Sequence, residues 1–79
     1  MRARVLVRPK EGILDPQGEA VRGSLRQLGF DVGEARVGRL VELELRARDG
    51  DDAREQARQM CEQLLANPLM ESYEVEIHG

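Results

Sequence analysis

The run Leu64-Leu65-Ala66-Asn67-Pro68-Leu69-Met70-Glu71-Ser72-Tyr73-Glu74-Val75-Glu76-Ile77 holds the end of a helix, a turn and a strand. Its apolar period changes from that of a helix to two at Asn67-Pro68, and that change decides how the chain closes. Asn67 suits the left-handed cap position, and Pro68 cannot continue a helix. Beyond the turn, Tyr73, Val75 and Ile77 alternate with Glu74 and Glu76, the pattern of a half-buried strand. Upstream, Ala53, Ala57, Met60, Cys61, Leu64 and Leu65 form one apolar stripe at helical spacing. Asp52 with Glu55 fits a capping box at the start of that helix, where acidic residues also suit the dipole.

The other half of the chain repeats the theme. Ala3, Val5 and Val7 alternate with Arg2, Arg4, Leu6 and Arg8, so a strand opens the sequence. Pro9, Gly12 and Asp15-Pro16 interrupt it with a loop. Asp15 is placed to N-cap a helix with Pro16 in its first turn, where a missing N–H costs nothing. That helix is predicted to reach about Leu28, with Val21, Leu25 and Leu28 on its apolar stripe and Gly29 as its stop. Two strands are predicted between Phe30 and Arg48, meeting near Gly38-Arg39. Ala35 and Val37 share one face of the first. Val41, Leu43, Leu45 and Ala47 share one face of the second, and Asp49-Gly50 ends it.

The resulting order, β-α-β-β-α-β, predicts an α+β, ferredoxin-like domain spanning residues 1–79. Its expected form is a four-stranded antiparallel sheet of order 4-1-3-2 with both helices on one face. Charge supports the position of the first strand. Its polar face carries Arg2, Arg4 and Arg8, and its expected neighbours carry Glu42/Glu44 and Glu74/Glu76. Opposite charges across strands contribute about 0.2–1 kcal/mol per pair. The same Arg/Glu face is either a self-neutralised solvated surface or a surface for self-association, for which Arg4, Glu44 and Glu74 are the candidates.

Composition narrows the function. The chain has 79 residues, a formal charge of −3, and only Phe30 and Tyr73 as aromatic residues. Nucleic-acid binding needs a basic surface and stacking rings, so the acidic balance argues against a general binder and two rings leave base stacking almost nothing to work with. No membrane span or signal peptide is expected, so the expected setting is the reducing cytoplasm. One cysteine, Cys61, and one histidine, His78, supply neither a disulfide nor a Cys/His metal cluster. His78 sits too near the chain end to be a well-held general base, and Cys61 belongs to an apolar stripe. Glycines are scattered without a phosphate-loop pattern, and Asp49, Asp51 and Asp52 match no calcium loop. No catalytic, cofactor-binding or metal-ligating residue is therefore assigned.

Three segments carry a family resemblance. They are Lys10-Glu11-Gly12-Ile13-Leu14-Asp15-Pro16-Gln17-Gly18, then Arg36-Val37-Gly38-Arg39, then Met60-Cys61 with Leu64-Leu65-Ala66-Asn67-Pro68 and Glu71-Ser72-Tyr73. With these the chain resembles, over essentially its whole length, the PurS family, small subunits of phosphoribosylformylglycinamidine (FGAM) synthase. It departs at Arg39, where the family usually carries lysine, and the positive charge is kept. The resemblance implies a homo-oligomeric accessory subunit, a dimer with a tetramer also open, in de novo purine synthesis. The complex converts formylglycinamide ribonucleotide, ATP and glutamine to formylglycinamidine ribonucleotide, ADP, phosphate and glutamate. ATP and magnesium belong to a large synthetase subunit, ammonia comes from a glutaminase subunit, and the small subunit bridges the two. Lys10, Gln17, Gly38, Arg39, Asn67 and Glu71 are the candidate partner contacts. The alternative from a different class is a ligand-sensing regulatory module of the same fold.

Overall fold

The alternation of Ala3, Val5 and Val7 becomes β1 (Arg2–Pro9), the central strand of the computed structural model, which describes residues 1–79. Helix α1 (Pro16–Gln27), strand β2 (Arg39–Glu44), helix α2 (Gly50–Met60) and strand β3 (Glu71–His78) follow. Both β2 and β3 pair antiparallel with β1, in the order β2-β1-β3. Arg4 lies opposite Glu42 on one side and Glu76 on the other, and Arg2 lies opposite Glu44. The arginine stripe thus runs between two glutamate stripes. Its closest approaches are 3.7 Å for Arg8–Glu74 and 3.9 Å for Arg4–Glu76 and Arg2–Glu44. Those distances are too long for charge-assisted hydrogen bonds, so the pairs act as weak, solvent-screened attractions.

Helix α2 lies across the inward face. Ala53, Ala57 and Cys61 are fully buried, in clusters with Ala3, Leu45, Val5 and Val7. Their small side chains let the helix come close to the sheet. The cap lies three residues earlier than expected: Asp49 accepts the Asp52 N–H at 2.8 Å, and Asp52 reaches back to the Arg48 N–H at 3.0 Å. Glu55 is drawn away from a capping role by a two-pronged bond to Arg58. At the far end the helix widens into a π turn, Cys61–Leu65, closed by the Ala66 N–H donating to the Cys61 carbonyl at 3.1 Å. A wider turn brings residue i+5 beneath residue i, so Ala66 is buried beside Cys61. Leu64, expected on the stripe, swings out and is 83% exposed.

Two parts of the expected architecture are corrected. The sheet has three strands, because no strand forms between Phe30 and Gly38. The backbone of that segment is held by α1 instead. The Val37 N–H donates to the Asp15 carboxylate at 2.8 Å, and Arg22 Nε donates to the Gly33 carbonyl at 2.6 Å. Gly18 packs so tightly on the Ala35 carbonyl that any Cβ there would collide with it. With its groups satisfied in this way, and with Asp31 and Gly33 disfavouring strand, the segment has no need of a sheet edge.

The second correction follows from the first. Only α2 covers the sheet, whereas α1 makes little contact with sheet or α2 and extends a body 49 × 25 × 14 Å. Helix α1 itself forms as expected, with Asp15 as N-cap and Pro16 in the first turn. It ends in a Schellman motif: Gly29, at φ +100°, donates to the Arg26 carbonyl, and the Phe30 N–H donates to that of Leu25. Its stripe, however, faces water, with Val21 42%, Leu28 73% and the adjoining Phe30 59% exposed. Nine of 79 residues are buried, a small core even for a short chain, so much of the apolar surface stays in water. Neither helix is long and apolar enough to cross a membrane.

Candidate functional site

Because β2 and β3 both run antiparallel to β1, their first residues meet at the same end of the sheet. Arg39 lies in register with Val7, and Glu71 with Pro9, so both start the inward-facing rows of their strands. There Arg39 grips Glu71 with two guanidinium nitrogens, at 2.7 and 2.9 Å. Arg39 also donates to the Leu65 carbonyl at the end of the π turn. Glu71 accepts a further bond from the Asn67 N–H at 2.8 Å. One ion pair therefore ties together β2, β3, the end of the second helix and the turn between helix and strand. The Arg39 guanidinium, and then the Asn67 N–H, hold the Glu71 carboxyl below its ordinary range.

The turn itself differs from expectation. No residue other than glycine has positive φ, so Asn67 is not in the left-handed cap conformation. Its side chain instead accepts the Leu69 N–H at 3.0 Å, an Asx turn, while its carbonyl accepts from Met70 and Glu71. Lys10 staples the turn from the end of β1. Its N–H donates to the Met70 carbonyl at 2.9 Å, and its ammonium to the Pro68 carbonyl at 2.8 Å.

Beside this clasp opens a cleft of about 410 Å³, lined by the loop before α1, the approach to β2 and the turn before β3. Five of the six predicted contact residues, Gln17, Gly38, Arg39, Asn67 and Glu71, line it. The sixth, Lys10, touches the same turn from outside the cleft. Gly38 is required for packing: a Cβ there would collide with the Val7 carbonyl. Asp15, which accepts from Gly18 and Val37, forms part of the wall, and those two N–H bonds hold its carboxyl below its ordinary range, the one from Val37 most of all. Leu14 and Met70 also line the cleft and are 79% and 51% exposed, and Leu69, next along the same turn, is 82% exposed.

The exposure of the apolar residues on these loops is not legible in the sequence, because short loops give no periodic signal. The Arg39–Glu71 pair did leave one. Each charge falls in phase with the apolar row of a strand flanking β1, a position that needs a partner. The self-association candidates lie elsewhere, on the outer sheet face. Arg4 stands near Glu76, Glu74 near Arg8, and Glu44 between Arg2 and the amino terminus.

Neither Cys61 nor His78 lines this cleft. Cys61 is buried, and burial pushes its thiol pKa up, away from the nucleophilic thiolate. His78 lies at the opposite end of the sheet, 3.6 Å from Glu76. No three His, Cys, Asp or Glu side chains gather where a metal ion could be held.

Comparison with known proteins places the chain. The family model described as PurS, phosphoribosylformylglycinamidine (FGAM) synthase, matches residues 2–79. A phosphoribosylformylglycinamidine synthase subunit PurS from Synechocystis sp. is 45% identical over 75 residues, covering 94% of this chain and 75% of its own. The structure of Bacillus subtilis PurS superposes with a TM-score of 0.87 at 37% identity, covering 99% of this chain and 98% of the other. A chain in the structure of PurLQS from Thermotoga maritima gives a TM-score of 0.87 at 34% identity, covering 95% and 93%. With a match running the length of the chain, this protein belongs to the PurS family of FGAM synthase.

Proposed function

We propose that this chain is the non-catalytic adaptor of FGAM synthase, bridging the glutaminase and synthetase subunits and supporting the passage of ammonia between them. As a PurS-family chain it is a subunit of that enzyme of purine biosynthesis. The adaptor role is supported chiefly by one observation. Three separated segments converge on one cleft, held rigid by the Arg39–Glu71 clasp and bordered by exposed Leu14, Leu69 and Met70. Apolar side chains held outward on stapled loops suit a protein partner, since little ordering entropy remains to be lost on binding. The kinship with a chain of an assembly named PurLQS agrees with this.

The physical need for an adaptor is clear. Ammonia released into neutral water is mostly protonated and ceases to be a nucleophile, so two active sites must be joined by a route that excludes water. A small domain that binds both enzymes fixes their alignment. In this proposal ATP and magnesium are handled by the synthetase subunit. A second copy of this chain covers the exposed stripe of α1, giving a dimer as the smallest form. The test is a pull-down joined to an assay. Adding this chain to the two larger subunits is expected to restore their association and glutamine-dependent amidation. Full association and activity without it would overturn the proposal.

A further inference from the structure

A second cleft, of about 460 Å³, opens where the end of β1 meets the approach to β2. Its lining inverts the charge of the molecule: in a chain of net charge −3, it holds Arg8, Arg36 and Arg39 and no carboxylate. Leu6 and Leu40, directly opposite each other across β1 and β2, also line it. They form the one apolar cross-strand pair on a face whose other residues are polar or charged. The Arg39 guanidinium is committed to Glu71 and Leu65. Those of Arg8 and Arg36 are not. Neither makes a hydrogen bond within the chain, and their nearest carboxylates, Glu74 and Glu34, stand 3.7 and 3.9 Å away and are themselves well exposed.

We infer that this cleft receives an acidic side chain carried on an apolar segment of a protein partner, with Arg8 and Arg36 holding the carboxylate and Leu6 and Leu40 the neighbouring apolar group. Guanidinium groups match a carboxylate in both shape and charge, and bonds to ionised acceptors are the stronger class. A bare inorganic anion would use the arginines and leave Leu6 and Leu40 in water. The inference goes beyond the adaptor proposal, because it concerns a different cleft and holds for any partner that presents such a segment.

The test is an amide-resolved NMR titration of the full chain with three probes: an acetylated Leu-Glu-Leu amide, its Leu-Gln-Leu counterpart and inorganic phosphate. The glutamate peptide is expected to shift the amides of Val7, Gly38 and Leu40 saturably. The glutamine peptide should bind at least about fivefold more weakly, and Arg8→Gln or Arg36→Gln should cost a similar factor. Arg26→Gln, on α1, should change nothing, and unmoved α2 amides in the same spectra verify that each variant is folded. Weakening of the wild-type titration by added salt supplies a second measure that needs no variant. Equal binding of the two peptides, tighter binding of phosphate than of the glutamate peptide, or shifts indifferent to Arg8 and Arg36 would each overturn the inference.

Discussion

Arg39 and Glu71 begin the two strands that flank β1, and their two-pronged ion pair, at 2.7 and 2.9 Å, closes the end of the sheet beneath the π turn. Half of the Arg39 side chain is still in water, so solvent screening limits what the pair contributes. Arg39→Ala is expected to lower unfolding free energy by about 1 kcal/mol, somewhat more than an open surface pair, because it also frees the Leu65 carbonyl. Urea unfolding measures this, and a double-mutant cycle with Glu71→Gln should return a coupling of the same sign. A cycle that shows no coupling would mean that the clasp does not hold the turn.

Acid should loosen the same framework. Asp15, Asp52, Glu55 and Glu71 all have folded pKa values below the ordinary 3.8 or 4.5, and Glu55 falls to about 2 under the pull of Arg58 and then Gln59. A depressed carboxyl pKa contributes stability that is present above the ordinary value and lost as pH falls through the folded one. Thermal unfolding should therefore vary little through these groups above about pH 5 and decline between about pH 4.5 and 2. Asp15→Asn should shrink that decline and raise hydrogen exchange at Val37, whose N–H the carboxylate holds. An unchanged acid slope would remove Asp15 from the account.

That bond is also why the sequence misled over the predicted second strand. β1, α1, β2, α2 and β3 follow from local periodicity, caps and stops, and the arginine stripe correctly names the neighbours of β1. Ala35 and Val37 alternate like a strand as well. Their backbone, though, is taken by Asp15 and by close packing on Gly18, contacts across a loop that no local pattern records. The π turn is equally silent, since one inserted step leaves composition unchanged yet turns Leu64 outward. In the candidate site, the residues were legible from their wording, but their convergence was not. It depends on two strands starting at the same end of β1.

Self-association should depend on α1 and not on the outer sheet face. Val21→Glu with Leu28→Glu places charge on the exposed stripe and is expected to reduce the mass seen by light scattering to that of a monomer. Arg4→Glu and Glu44→Arg alter residues already loosely paired within the chain and should leave the mass unchanged. The opposite pattern would move the interface to the charged face.

Cys61 offers a probe of the core. Its side chain, at the start of the π turn, is fully buried against β1, so a thiol reagent should label the native protein only as fast as it opens. Labelling should accelerate steeply through the urea transition, and Arg39→Ala should speed it below the midpoint. Rapid labelling of the unperturbed chain would contradict the packing of α2 on β1.

The adaptor proposal is tested most directly by comparing glutamine-dependent with ammonia-dependent FGAM formation in the reconstituted complex, using wild-type chain and Leu69→Asp. Leu69 is 82% exposed, so the substitution should leave the fold intact while placing a charge on the turn that the proposal assigns to a partner. The account predicts that glutamine-dependent synthesis falls about tenfold or more, as for loss of a central apolar contact, while ammonia-dependent synthesis persists. Undiminished glutamine-dependent synthesis, with Leu69→Asp or with the chain left out altogether, would contradict it.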